Sequence, residues 1–116
     1  MAKSNSESNR DKVSTVAPAL VELSKRVLFG EVWARPGLSP RDRSLITVAA
    51  LIALNRGEQL KGHLERALTN GVTREEIGEV VTHLAFYCGW PAGMTAGLIA
   101  KEVLDNRKKS RTVRRR

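Results

Sequence analysis

A chain of 116 residues holds one domain with a modest core and no more. Hydrophobic residues make up 41% of it but aromatics only 4%, so the core must be Leu, Val, Ile and Ala, which suits close-packed helices better than a β-sandwich. The formal net charge of +8 is concentrated in residues 107–116, RKKSRTVRRR, with seven basic and no acidic side chains, whereas residues 13–106 carry ten of each sign.

A neutral body with a basic end is not a nucleic-acid-binding domain. The end reads as a disordered, solvated tail whose only nucleic-acid contact is non-specific, through counterion release. It contains no aromatic to stack on bases. One cysteine, Cys88, excludes an internal disulfide and a CxxC redox centre. No leader pattern or transmembrane run is present, so the expectation is a cytoplasmic protein with no membrane partner.

In chain order, residues 1–12, MAKSNSESNRDK, are polar without periodicity and are expected to be disordered. Over residues 16–33, Leu20, Leu23, Val27, Leu28 and Val32 recur at spacings of three and four and predict a helix. Arg35-Pro36-Gly37 ends it. Ser39-Pro40-Arg41-Asp42 is a helix start: serine caps, proline fits the first turn, and the acid suits the positive end. The helix continues through Ser44 to Leu54, SLITVAALIAL, where Thr47 is the only polar side chain after the serine. A helix apolar on every side must be covered all round, so this one is the expected centre of the domain.

Asn55-Arg56-Gly57 interrupts the chain. A helix over 58–69 then places Leu60, Leu64, Ala67 and Leu68 on one face, and Asn70-Gly71 stops it. Thr73 to Glu76 is a capping box opening a helix to Cys88, with Ile77, Val80, Val81, Leu84 and Ala85 inward and Tyr87 at the edge. After Gly89-Trp90-Pro91, a last helix over 92–106 is rich in small residues (Ala92, Gly93, Ala96, Gly97, Ala100) that permit a close helix pair or a subunit contact. The fold expected is an all-α single-domain bundle of five helices over 13–106, followed by the basic tail. Such short helices, one of them apolar all round, predict a homo-oligomer.

Few side chains suggest chemistry. Glu31 and Arg35 at i and i+4 share one helix face, as a projecting pair or as a surface ion pair. Arg41 and Arg43 stand at the entrance to the core helix, where either can simply be solvated. His63 lies at the edge of an apolar face, and His83 lies similarly between Glu79 and Tyr87; such histidines are more often structural than catalytic. Two histidines and scattered carboxylates make no metal spacing, so no metal is expected. Cys88 is most simply a core residue.

Gly30-Glu31-Val32-Trp33-Ala34-Arg35-Pro36-Gly37-Leu38 resembles the hallmark GEVWxRPGL of the carboxymuconolactone decarboxylase family. The resemblance continues through Arg43-Ser44-Leu45, His63, Asn70 to Thr73, Glu75 to Ile77, His83, Tyr87, Gly89 and Pro91, over residues 16–105. It implies an all-α fold of the alkylhydroperoxidase D-like type, assembling as trimers or hexamers. It also implies a cofactor-free decarboxylase of the β-ketoadipate pathway of aromatic catabolism, acting on a small carboxylated lactone such as 4-carboxymuconolactone. The peroxidase branch uses a CxxC before the histidine. The matching positions here are Arg56 and Gln59, with Ser44 where that branch has a glutamate, so its redox chemistry is not expected.

Decarboxylation of such a lactone needs a donor facing the carbonyl oxygen, a cation for the second carboxylate and an acid to reprotonate carbon. The resemblance assigns carboxylate binding to Arg35 and Arg43, oxyanion stabilisation or proton donation to His63, and orientation to Glu31. His83, Tyr87 and Trp33 are the expected substrate-pocket lining. The partner is a small anion. The namesake enzymes carry an additional N-terminal arm before the first matching helix, which leaves a different small acid or lactone open as substrate. A non-catalytic acid-binding or scaffold oligomer is the competing expectation.

Overall fold

The computed structural model describes residues 5–115, and the side chains of residues 8–109. Six α-helices and one π-helical segment follow one another, with no strand among the described residues: α1 (Asn5–Ser14), α2 (Pro18–Leu23), π1 (Ser24–Val32), α3 (Pro40–Ala53), α4 (Gly57–Thr69), α5 (Arg74–Cys88) and α6 (Trp90–Arg115). Helix α3 packs against α4, α5 and α6, α6 also packs on α4 and α5, and α1 lies on α2 and α4.

The helix ends follow the sequence closely. Ser39 accepts a hydrogen bond on its Oγ from the Asp42 amide at 3.0 Å and caps α3. Thr73 and Glu76 form the full capping box of α5. Helix α3 stops at Asn55, with φ 57°, and α4 at Gly71, with φ 101°. At the second stop the Val72 amide donates to the Ala67 carbonyl and the Gly71 amide to the Leu68 carbonyl, the paired bonds of a left-handed helix end. Val72 and Ala67 are both buried, so an apolar contact closes the turn. The Glu76 carboxylate also pairs with Arg41, one of the two arginines for which the sequence leaves a solvated position open, and the pair ties the start of α3 to the start of α5.

The core joins Val48 and Ile52 of α3, Leu60 and Leu64 of α4, Ile77 of α5, and Ala96 and Val103 of α6. At its polar end Ser44 is fully buried, and Asn70 donates from Nδ2 to its Oγ at 3.0 Å. Burying a hydroxyl costs little once it is hydrogen-bonded.

Three expectations are corrected. First, the helix over 16–33 is not a single α-helix: after Leu23 it widens into π1, where the Trp33 amide donates to Leu28, five residues back. The widening breaks the three-four register. Val21 is buried, while Leu20 and Leu23 are exposed and Leu28 and Val32 are partly uncovered. Second, residues 5–12 of the segment expected to be disordered belong to α1 (Asn5–Ser14). Its composition has no apolar face, but Val13 and Arg10 find contacts on the rest of the domain, and tertiary contact outweighs weak propensity. Third, α6 runs on through most of the basic segment, since residues 107–115 contain neither proline nor glycine to stop it. Residues 1–4 and 116 of the two expected disordered ends lie outside the described residues. Within one chain α3 is covered on the side that meets α4, α5 and α6: Val48 and Ile52 are each 3% exposed, while Ile46 is 57% exposed.

Candidate functional site

His63 sits halfway along α4, at the edge of the face that buries Leu60, Leu64 and Ala67. Its imidazole stacks on the indole of Trp33, with ring centroids 6.0 Å apart and planes at 23°. Trp33 reaches it from the end of π1, and Phe29, one turn earlier, lies 5.8 Å from the indole. Arg66, one turn after His63, lays its guanidinium over this aromatic pair, with Cζ 4.2 Å from the Phe29 centroid and 5.5 Å from that of Trp33. Arg10 of α1 approaches the same Phe29 ring, with Cζ at 5.9 Å. Cations over aromatic faces gain from the ring quadrupole, more so when partly desolvated.

The electrostatics follow from this packing. Burial, and then the Arg66 charge, hold the His63 imidazole below its ordinary 6.5, so the ring is neutral at pH 7. Burial and the neighbouring Arg10 lower Arg66 as well, yet a guanidinium remains charged. His63 Nδ1 is buried and has no hydrogen-bond partner among the described residues. A cavity of about 250 Å³ opens beside the ring, between α1, α2, the start of π1 and α4. Asn9, Arg10, Val13, Leu20, Val21, Ser24, Glu58, Gln59, Gly62 and His63 line it.

Of the residues singled out from the sequence, Trp33 and His63 are brought together. Arg35 and Arg43 meet differently from expectation: Arg43 Nη2 donates to the backbone carbonyl of Arg35 at 3.0 Å, fixing the turn that follows Trp33. Arg43 Nε is buried without a partner among the described residues, and the Arg35 side chain is exposed. Glu31 is exposed, and no ion pair joins it to Arg35 among the described residues. The i,i+4 argument fails there because Glu31 lies in π-helical backbone and Arg35 beyond its end. Glu31, Arg35 and Arg43 do not line the cavity beside His63.

His83 and Tyr87 are likewise separate from it. They stack on each other at 4.8 Å on α5, and His83 borders another hollow, of about 400 Å³, with Leu45, Ala49, Glu79, Val80 and Leu84. Helix α5 packs on α3 and α6, so its histidine faces away from the His63 cavity within one chain. The sequence reading missed Arg66, Phe29 and Arg10, and it named Gln59 only as a position without the redox cysteine rather than as cavity lining. Helical spacing held a signal for the first two: Arg66 is three residues after His63, and Phe29 four before Trp33. Nothing in the sequence alone pointed to Arg10. Cys88 is free and half-buried, and Ser44 serves as a buried hydrogen-bond acceptor rather than as an acid.

Among the described residues no three His, Cys, Asp or Glu side chains are grouped to hold a metal, and no helix is long and apolar enough to cross a membrane. The arrangement instead offers a neutral imidazole and the Arg10 guanidinium on the wall of a small cavity, with Trp33, Phe29 and Arg66 stacked beside the imidazole. Residues 18–102, from the start of α2 well into α6, match the carboxymuconolactone decarboxylase family. The chain belongs to that family. Within it, the chain is similar to 4-carboxymuconolactone decarboxylase of Acinetobacter baylyi, 46% identical over 81 residues that cover 70% of this chain and 60% of the relative. It is also similar to nitrosuccinic acid decarboxylase npaB of Metarhizium robertsii, 38% identical over 85 residues that cover 73% of this chain and 59% of the relative. The chain therefore spans about 60% of the length of these curated relatives. The His63 cavity draws on this matched region through Val21, Gln59 and His63, and on α1 outside it through Asn9, Arg10 and Val13.

Proposed function

We propose that the chain is a cofactor-independent carbon–carbon lyase that decarboxylates a small carboxylated lactone or related acid in the cavity beside His63. The observation that carries this reading is the neutral, half-buried imidazole stacked on Trp33 at the edge of a cavity that Arg10 also lines, with Arg66 over the same indole. The two decarboxylases to which the chain is similar support the reaction class. The aromatic-catabolism role implied by the family resemblance makes 4-carboxymuconolactone the first substrate to assay.

The chemistry asks little covalent work of the protein. The bond from ring carbon to carboxylate breaks, carbon dioxide leaves, and the bonding electrons pass through the conjugated system to the lactone carbonyl oxygen. An N–H donor at that oxygen stabilises the developing negative charge. A neutral imidazole provides one N–H, and the positive potential of Arg66 favours charge build-up nearby. A proton from solvent, taken up directly or relayed through the imidazole as its other nitrogen is reprotonated, then returns to the ring carbon and discharges the dienolate, leaving the product with its remaining carboxylate. Arg43 takes a positioning role: by fixing the Arg35 carbonyl it holds the turn after Trp33 and so the indole against His63. Glu31 and the Arg35 side chain remain candidates for substrate contact from the exposed side of the same segment.

His83 and Tyr87 enter through assembly. Phe86, Tyr87, Trp90, Met94 and Leu98 leave an apolar surface on α5 and α6, each more than half exposed. Such a surface supports a homo-oligomer, with a trimer or hexamer as the family expectation. The hollow beside His83 borders α3 and α5, next to Ile46.

The test is turnover of 4-carboxymuconolactone by the full chain, followed as loss of ultraviolet absorbance together with carbon dioxide release. Catalysis by the wild type with a loss of about 100-fold or more in His63→Ala is the expected result. Equal rates for the two proteins would overturn the role of His63, and no decarboxylation of any small lactone or nitro acid would leave the binding-oligomer reading.

A further inference from the structure

We propose that Arg10 of α1 and Arg66 of α4 clamp the carboxylate that a dicarboxylic substrate keeps, which makes the N-terminal helix a specificity element of the site. The proposal rests on the decarboxylase reading of the same cavity. Two guanidiniums from distant parts of the chain converge on one ring, Phe29, with Cζ at 5.9 and 4.2 Å from its centroid. Arg10 lines the cavity that His63 also lines, so its charge borders the space where substrate would sit.

Without an anion the arrangement is frustrated. Two like charges near one another in a partly desolvated place repel, and Arg66 already registers the presence of Arg10. No ion pair among the described residues engages Arg66. The acid on the cavity wall, Glu58, has Lys61 at 3.6 Å, and the charge felt by Glu65 is that of Arg107. A carboxylate between the two guanidiniums replaces repulsion by two charge-assisted contacts, for which the planar arginine fork is suited.

The helix that supplies Arg10 depends on such a contact. Residues Asn5–Ser14 include a single apolar side chain, Val13, so burial holds α1 to the domain only weakly. An anion bridging α1 and α4 adds to that hold. A monocarboxylic acid, whose one carboxylate is the group to be lost, leaves the clamp empty. The site therefore selects diacids.

The test uses the full chain with Trp90→Phe, which leaves Trp33 as the sole tryptophan, and titrates succinate and butyrate while Trp33 emission is read. Succinate is expected to bind about tenfold or more tighter than butyrate, as one charge-assisted contact allows. Arg10→Ala and Arg66→Ala should each remove most of that preference and leave butyrate within about twofold. Their combined effect should fall short of additivity, as for coupled groups. Arg66→Lys, which keeps the charge and the fold while losing the fork, should lose part of the preference. If His63→Ala weakens both acids while Arg10→Ala changes neither, the clamp is overturned and the decarboxylase reading stands. If neither acid perturbs Trp33 in the wild-type background, both fall.

Discussion

The His63 imidazole rests on the Trp33 indole at a centroid separation of 6.0 Å, and each ring comes from a different element, α4 and the end of π1. The contact fixes the tilt of the imidazole and shields it from water. Trp33→Leu is therefore expected to lower turnover by about 100-fold through misplacement of the imidazole, with a smaller effect on stability. Trp33→Phe should recover part of the rate. Steady-state kinetics on the three proteins, with circular dichroism as the control for folding, makes the comparison.

Acid should act on the protein through the same ring. Burial and Arg66 keep the folded-state pKa of His63 below 6.5, so as pH falls below 6.5 the unfolded chain takes up a proton that the folded chain refuses. The contribution is complete above pH 6.5 and is lost as pH drops toward the folded value. The melting temperature of the wild type is expected to fall more than that of His63→Gln between pH 7 and about 5. Glu65, whose carboxyl is raised by burial, acts with the opposite sign, but it is present in both proteins and cancels from the difference. The acid limb of the activity profile should likewise lie below pH 6.5. Parallel melting curves for the two proteins would refute the assignment.

Gly93 marks a close approach of α6 to α5. A Cβ built there would stand 2.6 Å from the Cβ of Ala85. Gly93→Ala must push the helices apart and should cost about 1–3 kcal/mol in chemical denaturation. Gly97, one turn on, has its nearest neighbour, Val81, at 3.9 Å, an ordinary contact. Gly97→Ala should be neutral or slightly stabilising, because alanine favours the helix. The pair separates packing from propensity within one helix.

Association is expected to run through the uncovered apolar side chains of α5 and α6. Phe86 is 77% exposed and Leu98 69%. Light scattering of the full chain at micromolar concentration should give a mass above that of one chain. Phe86→Glu with Leu98→Glu should return it to 12.8 kDa. A monomeric wild type would remove the proposal.

Much of the helical frame was legible in the residues. Ser39-Pro40, Asn55, Asn70-Gly71 and the Thr73–Glu76 box each carry their own capping chemistry, so the limits of α3, α4 and α5 follow from local interactions. Leu60, Leu64 and Ala67 were readable as an inward face because α4 is regular. The stretch over 16–33 was not, since a periodicity argument assumes one helical pitch and π1 departs from it. For the site, Trp33 and His63 were legible through the family motif, but their stacking was not. Arg10 lay beyond reach: its contact with Phe29 spans 19 positions and depends on how α1 folds back, which no local pattern records.

The π-helical bond from Trp33 to Leu28 makes the aromatic stack on His63 sensitive to residue count as well as residue type. Removing any one position between Ser24 and Val32 would let the coil tighten to ordinary pitch, swinging Phe29 and Trp33 around the axis and off α4. Relatives that differ in length across that stretch would then present a different surface to the histidine, even where every aromatic is retained.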